Sequence, residues 1–439
     1  MASITAIKVG KLIDGNGGNV VKDAVIVIDG KRIKAVGPKA DVKIPKNAEI
    51  INAPKLTAMP GMMDLHIHMN MFNNLTFKNY RVAQWEVTPE LQQMYMLFHS
   101  QLCLDRGFTT VRDLGIISSR GLMTNQSVAV QQAIEAGIMA GPRILCGAFT
   151  VGTGSHLDLI NPRASLRNPE ATADGPDEMR KLARKNLLHG ADWLKTCASG
   201  GGGTDKEEPD VRNHTQEELD AIADEAHAQH KHISIHCFTP NAHRMAIKAG
   251  ADTIEHMVFH DQDSLEKIVE TQTPLTPTLL HRTDHAIELR RETGTPRFTL
   301  EKMKRIQPDC FKTFQAFYKA GVKIAMGTDM GFEPDMGSNA DELAVYVELG
   351  MKPMDAIMTT TKNAAEALHL EADIGTLEAG KFADIVLVDG NPAQNIKVLG
   401  KRENIHMVFK EGKCHVDRRK GSDLKPFPSD YRDWAIIDA

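Results

Sequence analysis

The gaps in this sequence narrow its class before any motif is considered. Its 439 residues include six cysteines, Cys103, Cys146, Cys197, Cys237, Cys310 and Cys414, and no two stand in a CxxC spacing. A disulfide framework and a thiolate zinc site are therefore not expected; reduced thiols in a cytoplasmic protein are. No apolar run approaches the roughly 20 residues that a membrane-spanning helix needs. A net charge of −5 gives no electrostatic reason to expect nucleic acid or an anionic membrane surface as partner. The opening stretch MASITAIKVGKLIDG has no basic region followed by an apolar one, so no signal peptide is expected. A G-x-S-x-G nucleophile elbow is also missing from any suitable strand-to-helix turn. What remains is a soluble protein whose partner is a small-molecule substrate.

The composition is ordinary, with 42% hydrophobic and 25% charged residues. The length suits a large α/β barrel plus a smaller module. Residues 1–58 alternate in short strands punctuated by Asp-Gly and Gly-Lys turns, and 371–420 repeat that texture in GTLEAGKFADIVLVDGNP and IHMVFKEGKCHV. Both ends are expected to build one small β domain around a central domain spanning 59–370. The tail 421–439 lacks periodicity and is expected to wrap over the surface.

The central domain alternates strand and helix. Expected strands are 61–69, 109–115, 143–149, 192–197, 233–238, 252–257, 274–280 and 323–330, with amphipathic helices between most of them. Pro274 and Pro277 weaken the seventh. Thr215 is the expected N-cap of the helix in TQEELDAIADEAHAQHK. Eight such units fit a (β/α)8 barrel.

Barrels of this kind carry their sites at the C-terminal strand ends. Those ends hold His66, His68, Lys195, His236, His256 and Asp329. His66 and His68 share one strand face, roughly 7 Å apart along the strand, so both imidazoles can reach one metal ion. Taken singly, each feature has a plainer explanation. A His-x-His pair is often incidental, a strand-ending histidine is often a hydrogen-bonded core residue, and Asp329 can cap the next helix. Together they form a zinc-type ligand set, in which Asp329 also accepts the proton of the attacking water.

Lys195, in DWLKTCASGGGG, is the odd residue. A buried ammonium beside dications is repelled, and burial favours the neutral amine. A neutral amine adds carbon dioxide to give a carbamate, whose two oxygens can bridge two ions. Two Zn2+ against Asp329, a carbamate and a hydroxide leave the centre near one positive charge. Without that surrounding set, a snorkelling or paired lysine would be the simpler reading.

These motifs, PGMMDLHIHM, DWLKTCASGGG, SIHCFTPNAHRMAIKAGADTIEHM, GTDM and GTLEAGKFADIVLVDGNP, resemble the amidohydrolase superfamily over nearly the whole chain. Within it they are similar to the imidazolonepropionase-related, Xaa-Pro-dipeptidase-like branch. The resemblance implies a TIM barrel with a terminal β-sandwich and a binuclear zinc-type centre. It places His66, His68 and Asp329 on one ion, His236 and His256 on the other, and carboxylated Lys195 between them. It also implies a homo-oligomer. The activity it implies is cleavage of an amide-like C–N bond in an N-acyl amino acid or dipeptide.

Several residues bear on the substrate. His156 resembles the branch's substrate-facing histidine and could donate to the developing oxyanion, although an exposed loop histidine would look the same. Phe238 stands where branch members often carry tyrosine, which removes a phenol donor. That substitution favours a more apolar substrate and keeps aromatic amides, ureas and carbamates, toxin-like or herbicide-like compounds among them, as an alternative. His281 and Arg282 are candidate anchors for a substrate carboxylate. The Met-rich, aromatic loop after the first barrel strand either lines an apolar pocket or packs a core. Gly200–Gly203 and TDKEEPD are expected to form a loop that moves on binding. A mononuclear deaminase or cyclic-amide hydrolase also stays open, with Lys195 as the discriminator.

Overall fold

The computed structural model describes residues 4–69, 86–118, 121–123, 125–160, 171–331 and 336–420. Most of the Met-rich loop after the first barrel strand, and the tail from 421, lie outside them. The chain opens with β1 (Ile4–Leu12), β2 (Val21–Asp29), β3 (Arg32–Pro38) and β4 (Glu49–Pro60). Next come β5 (Met62–Ile67), β6 (Phe108–Asp113), the hairpin β7 (Ile116–Ser118) and β8 (Gly121–Met123), and β9 (Arg143–Phe149). After these follow β10 (Trp193–Cys197), β11 (His232–Cys237), β12 (Thr253–His256) and β13 (Leu275–Thr276). The last strands are β14 (Ile385–Asp389), β15 (Ile405–Lys410) and β16 (Lys413–Asp417).

Both termini build one mixed sheet, ordered β16-β15-β14-β4-β1-β2-β3. It folds back on itself as a small β-sandwich. Ile7, Val9, Ile26, Ile28, Ile385, Leu387 and Phe409 share one buried cluster, as period-2 alternation requires. Arg32 bridges Phe382, and the Gly412 N–H donates to the Ala383 carbonyl, so both the β3 edge and the β15–β16 turn meet the segment that leads into β14.

The central sheet runs β13-β12-β11-β10-β9-β6-β5. Its pairings are parallel, and β5, β6 and β10 are buried along their whole length. Strands covered on both faces read as apolar runs. Segment 323–330 closes the barrel. The Ala325 N–H donates to the Leu275 carbonyl at 2.8 Å, and the Leu65 N–H to the Met326 carbonyl at 2.9 Å. The expected seventh and eighth strands are thus reduced, one to two residues and the other to isolated bridges at Ile324 and Met330. Pro274 and Pro277 carry no N–H for a ladder, and Thr278 takes a left-handed φ of 53°. Gly327 permits the close seam, since a Cβ there would sit 2.3 Å from the Thr276 side chain and 2.7 Å from the His66 Cβ.

Helix Gln216–Ala228 starts at Thr215, as its sequence indicates. The Thr215 hydroxyl accepts from the Glu218 N–H while the Glu218 carboxylate accepts from the Thr215 N–H, a capping box. Thr215→Ala is expected to cost about 1 kcal/mol in chemical denaturation. The His214 ring, with Nδ1 3.5 Å from the carboxylate, outweighs burial and pulls the Glu218 carboxyl down to about 2. A carboxyl depressed on folding stabilises above its unfolded pKa of about 4.3, and that stability is lost as pH falls towards 2. Glu218→Gln is therefore expected to flatten the acid limb of stability against pH. No described helix is long and apolar enough to cross a membrane.

Candidate metal centre

The six side chains picked out at strand ends line one cavity, together with His156, Phe238, His281 and Arg282. Asp329 lies between the rings. Its Oδ1 is 3.4 Å from His66 Nε2 and 3.2 Å from His68 Nε2, and its Oδ2 is 3.9 Å from His256 Nδ1. The His236 and His256 ring centroids are 4.5 Å apart, and those of His66 and His256 4.7 Å.

Each of the four imidazoles has one nitrogen hydrogen-bonded to a neighbouring group. His66 Nδ1 donates to Glu255 at 2.6 Å, His68 Nδ1 to the Gly115 carbonyl at 3.0 Å, and His236 Nε2 to the Gly200 carbonyl at 3.1 Å. His256 Nδ1 pairs with the Thr278 hydroxyl at 2.8 Å. Such outer partners fix tautomer and ring orientation and leave the other nitrogen as a donor to metal. The backbone pays for this arrangement in strain. His256 and Asp329 adopt φ of 75° and 57°, a conformation costing about 1–3 kcal/mol outside glycine and typical of functional sites. At His256 it also breaks strand alternation. Thr253 and Glu255 share the inward face, and the ring of His256 joins the cavity only because the chain turns out of the strand there.

Lys195 is 1% exposed, and its Nζ has no hydrogen-bond partner among the described residues. Burial pushes its ammonium pKa down, against the pull of Glu255, Cys197 and Asp329. An orphaned amine beside four imidazoles and a carboxylate fits a centre completed by cations and a carbamate, and it fits no ordinary packing role.

The glycine run after Lys195 also has a cause. A Cβ on Gly200 would lie 2.2 Å from the Glu208 carbonyl, and one on Gly201 2.2 Å from the His156 ring. That ring stacks on His236 at 4.5 Å, while its Nδ1 donates to Glu207 at 2.6 Å. Glu207, 4% exposed, also accepts from the Gly201 N–H at 3.1 Å. The loop expected to move is therefore anchored to His156, and its backbone carbonyls at 204 and 207 accept from Lys302 Nζ. Glu207→Ala and Gly201→Ala each displace the His156 ring. Both are expected to lower kcat/KM about 100-fold, the scale of a misplaced group, with metal content unchanged.

His281 stands closer to the centre than a remote anchor would, with Nε2 3.5 Å from Asp329 Oδ2. Arg282 lies over the Phe238 ring at 5.2 Å, and Phe238 stacks on His236 at 4.5 Å. Sequence reasoning missed Glu255, Arg112 and Glu207. The Arg112 guanidinium reaches Glu255 at 2.8 Å and covers the Trp193 ring at 4.3 Å, while Ser234 and Thr253 donate to the same carboxylate oxygen. The available signal was one arginine and one glutamate, each inside a buried barrel strand, because such charges must find each other.

Ochratoxinase of Aspergillus niger is 29% identical across 98% of this chain and 90% of its own length. Its crystal structure superimposes with a TM-score of 0.80 over 95% of this chain and 96% of that one. A crystal structure of a Xaa-Pro dipeptidase with methionine bound in the active site is 31% identical, with a TM-score of 0.85, covering 94% of this chain and 100% of that one. The model of the Amidohydrolase family matches residues 57–414, which takes in β14 and β15 of the small sheet, the whole barrel and every side chain of the cavity. With its barrel, terminal sandwich and histidine-lined mouth matched together, this chain belongs to the amidohydrolase family.

Proposed function

We propose that this hydrolase uses a two-ion centre to cleave a peptide-like C–N bond in an N-acyl amino acid or dipeptide. The observation that carries the proposal is Lys195, a buried amine with no partner among the described residues, facing His66, His68, His236, His256 and Asp329. His66, His68 and Asp329 would hold one ion, and His236 and His256 the other. Lys195 would bridge as a carbamate. Its neutral amine forms an N–C bond to carbon dioxide and releases one proton. When bound, the ions supply Lewis acidity and bring the ionisation of water to neutral pH.

The remaining chemistry belongs to side chains. Burial would raise the Asp329 carboxyl, but His66, His281, His68 and His256 outweigh it and hold it well below the carboxylate range. Asp329 is thus ionised at neutral pH. It takes the proton of the attacking water and returns it to the leaving nitrogen, with His281 Nε2 placed to share that proton. With its Nδ1–H held by the Glu207 carboxylate, His156 donates its Nε2–H to the carbonyl oxygen as charge develops there when the ring is in its imidazolium form. Arg282 and Arg290 supply positive charge for a substrate carboxylate, and Leu157, Phe238 and Met303 give an apolar wall beside them.

The test is hydrolysis of N-acyl-phenylalanine and Xaa-Pro dipeptides against phenylureas and aromatic carbamates by zinc-loaded enzyme. The carboxylate-bearing substrates are expected to lead, and Arg282→Met to raise their KM about 10–100-fold, the loss of one charge-assisted pair. Faster turnover of ureas or carbamates, with KM indifferent to Arg282, would favour the second reading, for which the apolar Phe238 speaks. One ion per chain and no lysine adduct by mass spectrometry would instead favour a mononuclear deaminase or cyclic-amide hydrolase.

A further inference from the structure

At the opposite end of the barrel lies a second cluster of ligand-type side chains, none of which lines the catalytic cavity. Asp252 Oδ1 is 3.3 Å from His232 Nδ1 and 3.1 Å from His369 Nε2, and its Oδ2 is 3.0 Å from His227 Nε2. We propose that His232, Asp252, His369 and His227 form a separate structural site for one borderline divalent ion such as Zn2+. His232 begins β11, whose other end carries His236, so the two sites are about 13 Å apart along the strand at ~3.3 Å per residue.

Two lines of argument carry this. The first is donor chemistry and spacing. Three imidazoles and one carboxylate make a closed zinc-type set. The donor atoms of His232, Asp252 and His369 all lie within 4.8 Å of one another. Metal–ligand bonds of about 2.0–2.1 Å in a tetrahedron place neighbouring donors about 3.3 Å apart, close to the carboxylate-to-imidazole spacings here. The second is charge. The cations nearby are already paired, Lys323 with Glu366 at 2.8 Å and Lys231 with Asp192 at 2.9 Å.

The four donors come from different pieces of chain. His227 ends helix Gln216–Ala228, Asp252 precedes β12, and His369 follows helix Lys362–Ala367. One ion would staple the last barrel helix to the middle of the barrel. The rings of His232 and His369 stack in parallel at 4.4 Å, so a shared ion requires the His369 ring to swing out of the stack. Its side chain is 51% exposed, which leaves room for that motion and for entry of the ion.

The test compares zinc-loaded wild type with His369→Gln after dialysis against buffered free Zn2+, measuring zinc per chain, Tm and turnover. Glutamine keeps an N–H donor for Asp252 but is a poor zinc ligand, so a purely hydrogen-bonded cluster would be unchanged by it. Wild type is expected to hold one more zinc per chain and to gain about 2–4 °C in Tm on adding Zn2+. The variant should show neither gain and keep full turnover. The half-exposed His227→Gln provides an independent second variant should the first fold poorly. Equal zinc content and equal zinc-induced Tm gain in wild type and both variants would overturn the site.

Discussion

Lys195→Met is expected to lose both bridging-site metal and turnover while folding at least as stably as the parent protein. The two halves of this result separate a ligand from a packing residue. Methionine fills much the same space and removes a buried amine that has no hydrogen-bond partner among the described residues. An unsatisfied buried polar group costs about 1–3 kcal/mol, so replacing it should be neutral or stabilising in the metal-free protein. Lost Lewis acidity, by contrast, removes several kcal/mol of charge stabilisation in the transition state. At 1.36 kcal/mol per decade this is about 1,000-fold or more in kcat/KM. Lys195→Ala extends the test. A short carboxylic acid such as propionate can occupy the vacated space and present the two oxygens a carbamate would have supplied. Millimolar propionate is expected to restore part of the zinc content and part of the rate. Full zinc loading and full rate in Lys195→Met would end the two-ion proposal, whatever the substrate.

The second large effect belongs to a residue that no motif marks. Glu255 is fully buried and ties together His66, Arg112, Ser234 and Thr253. Burial alone would raise its carboxyl, yet Arg112 and His66 drive it well below the usual range. Glu255→Ala leaves the Arg112 guanidinium, itself 0% exposed, without its counter-charge. Breaking a buried pair from one side costs about 3–5 kcal/mol, which chemical denaturation should read directly. The variant also frees His66 Nδ1, and losing such an outer partner weakens metal affinity about 10–100-fold. Replacing both partners, as Arg112→Met with Glu255→Met, is expected to recover much of the stability and none of the metal affinity. If the double variant regained both, Glu255 would have no part in orienting His66.

The candidate ligands were legible because a barrel puts function at strand ends and because histidine there has a short list of uses. His66, His68 and His236 each close a largely apolar segment that announces its own strand, His256 closes a short one, and Thr215 announces its helix through a local capping pattern. These are short-range properties, written in neighbouring residues. The weak closure of the barrel was half legible: Pro274 and Pro277 warned of a broken seventh strand, but the single bridges of 323–330 follow from what its neighbours on either side can offer.

Sequence by itself therefore determined the architecture and which side chains stand together at the strand ends, because hydrophobic periodicity and side-chain chemistry are local. It also posed the problem of a lysine in an apolar strand ahead of four glycines. Only the folded chain showed that the lysine's Nζ has no hydrogen-bond partner among the described residues, that Gly201 makes room for His156, and that Glu207 and Glu255 hold rings from far along the chain. It alone gathered His227, His232, Asp252 and His369 at the barrel base. Partnership between buried charges is settled by which strands become neighbours, and hydrogen bonds of this kind act across roughly 3 Å of space, with no regard for separation along the chain.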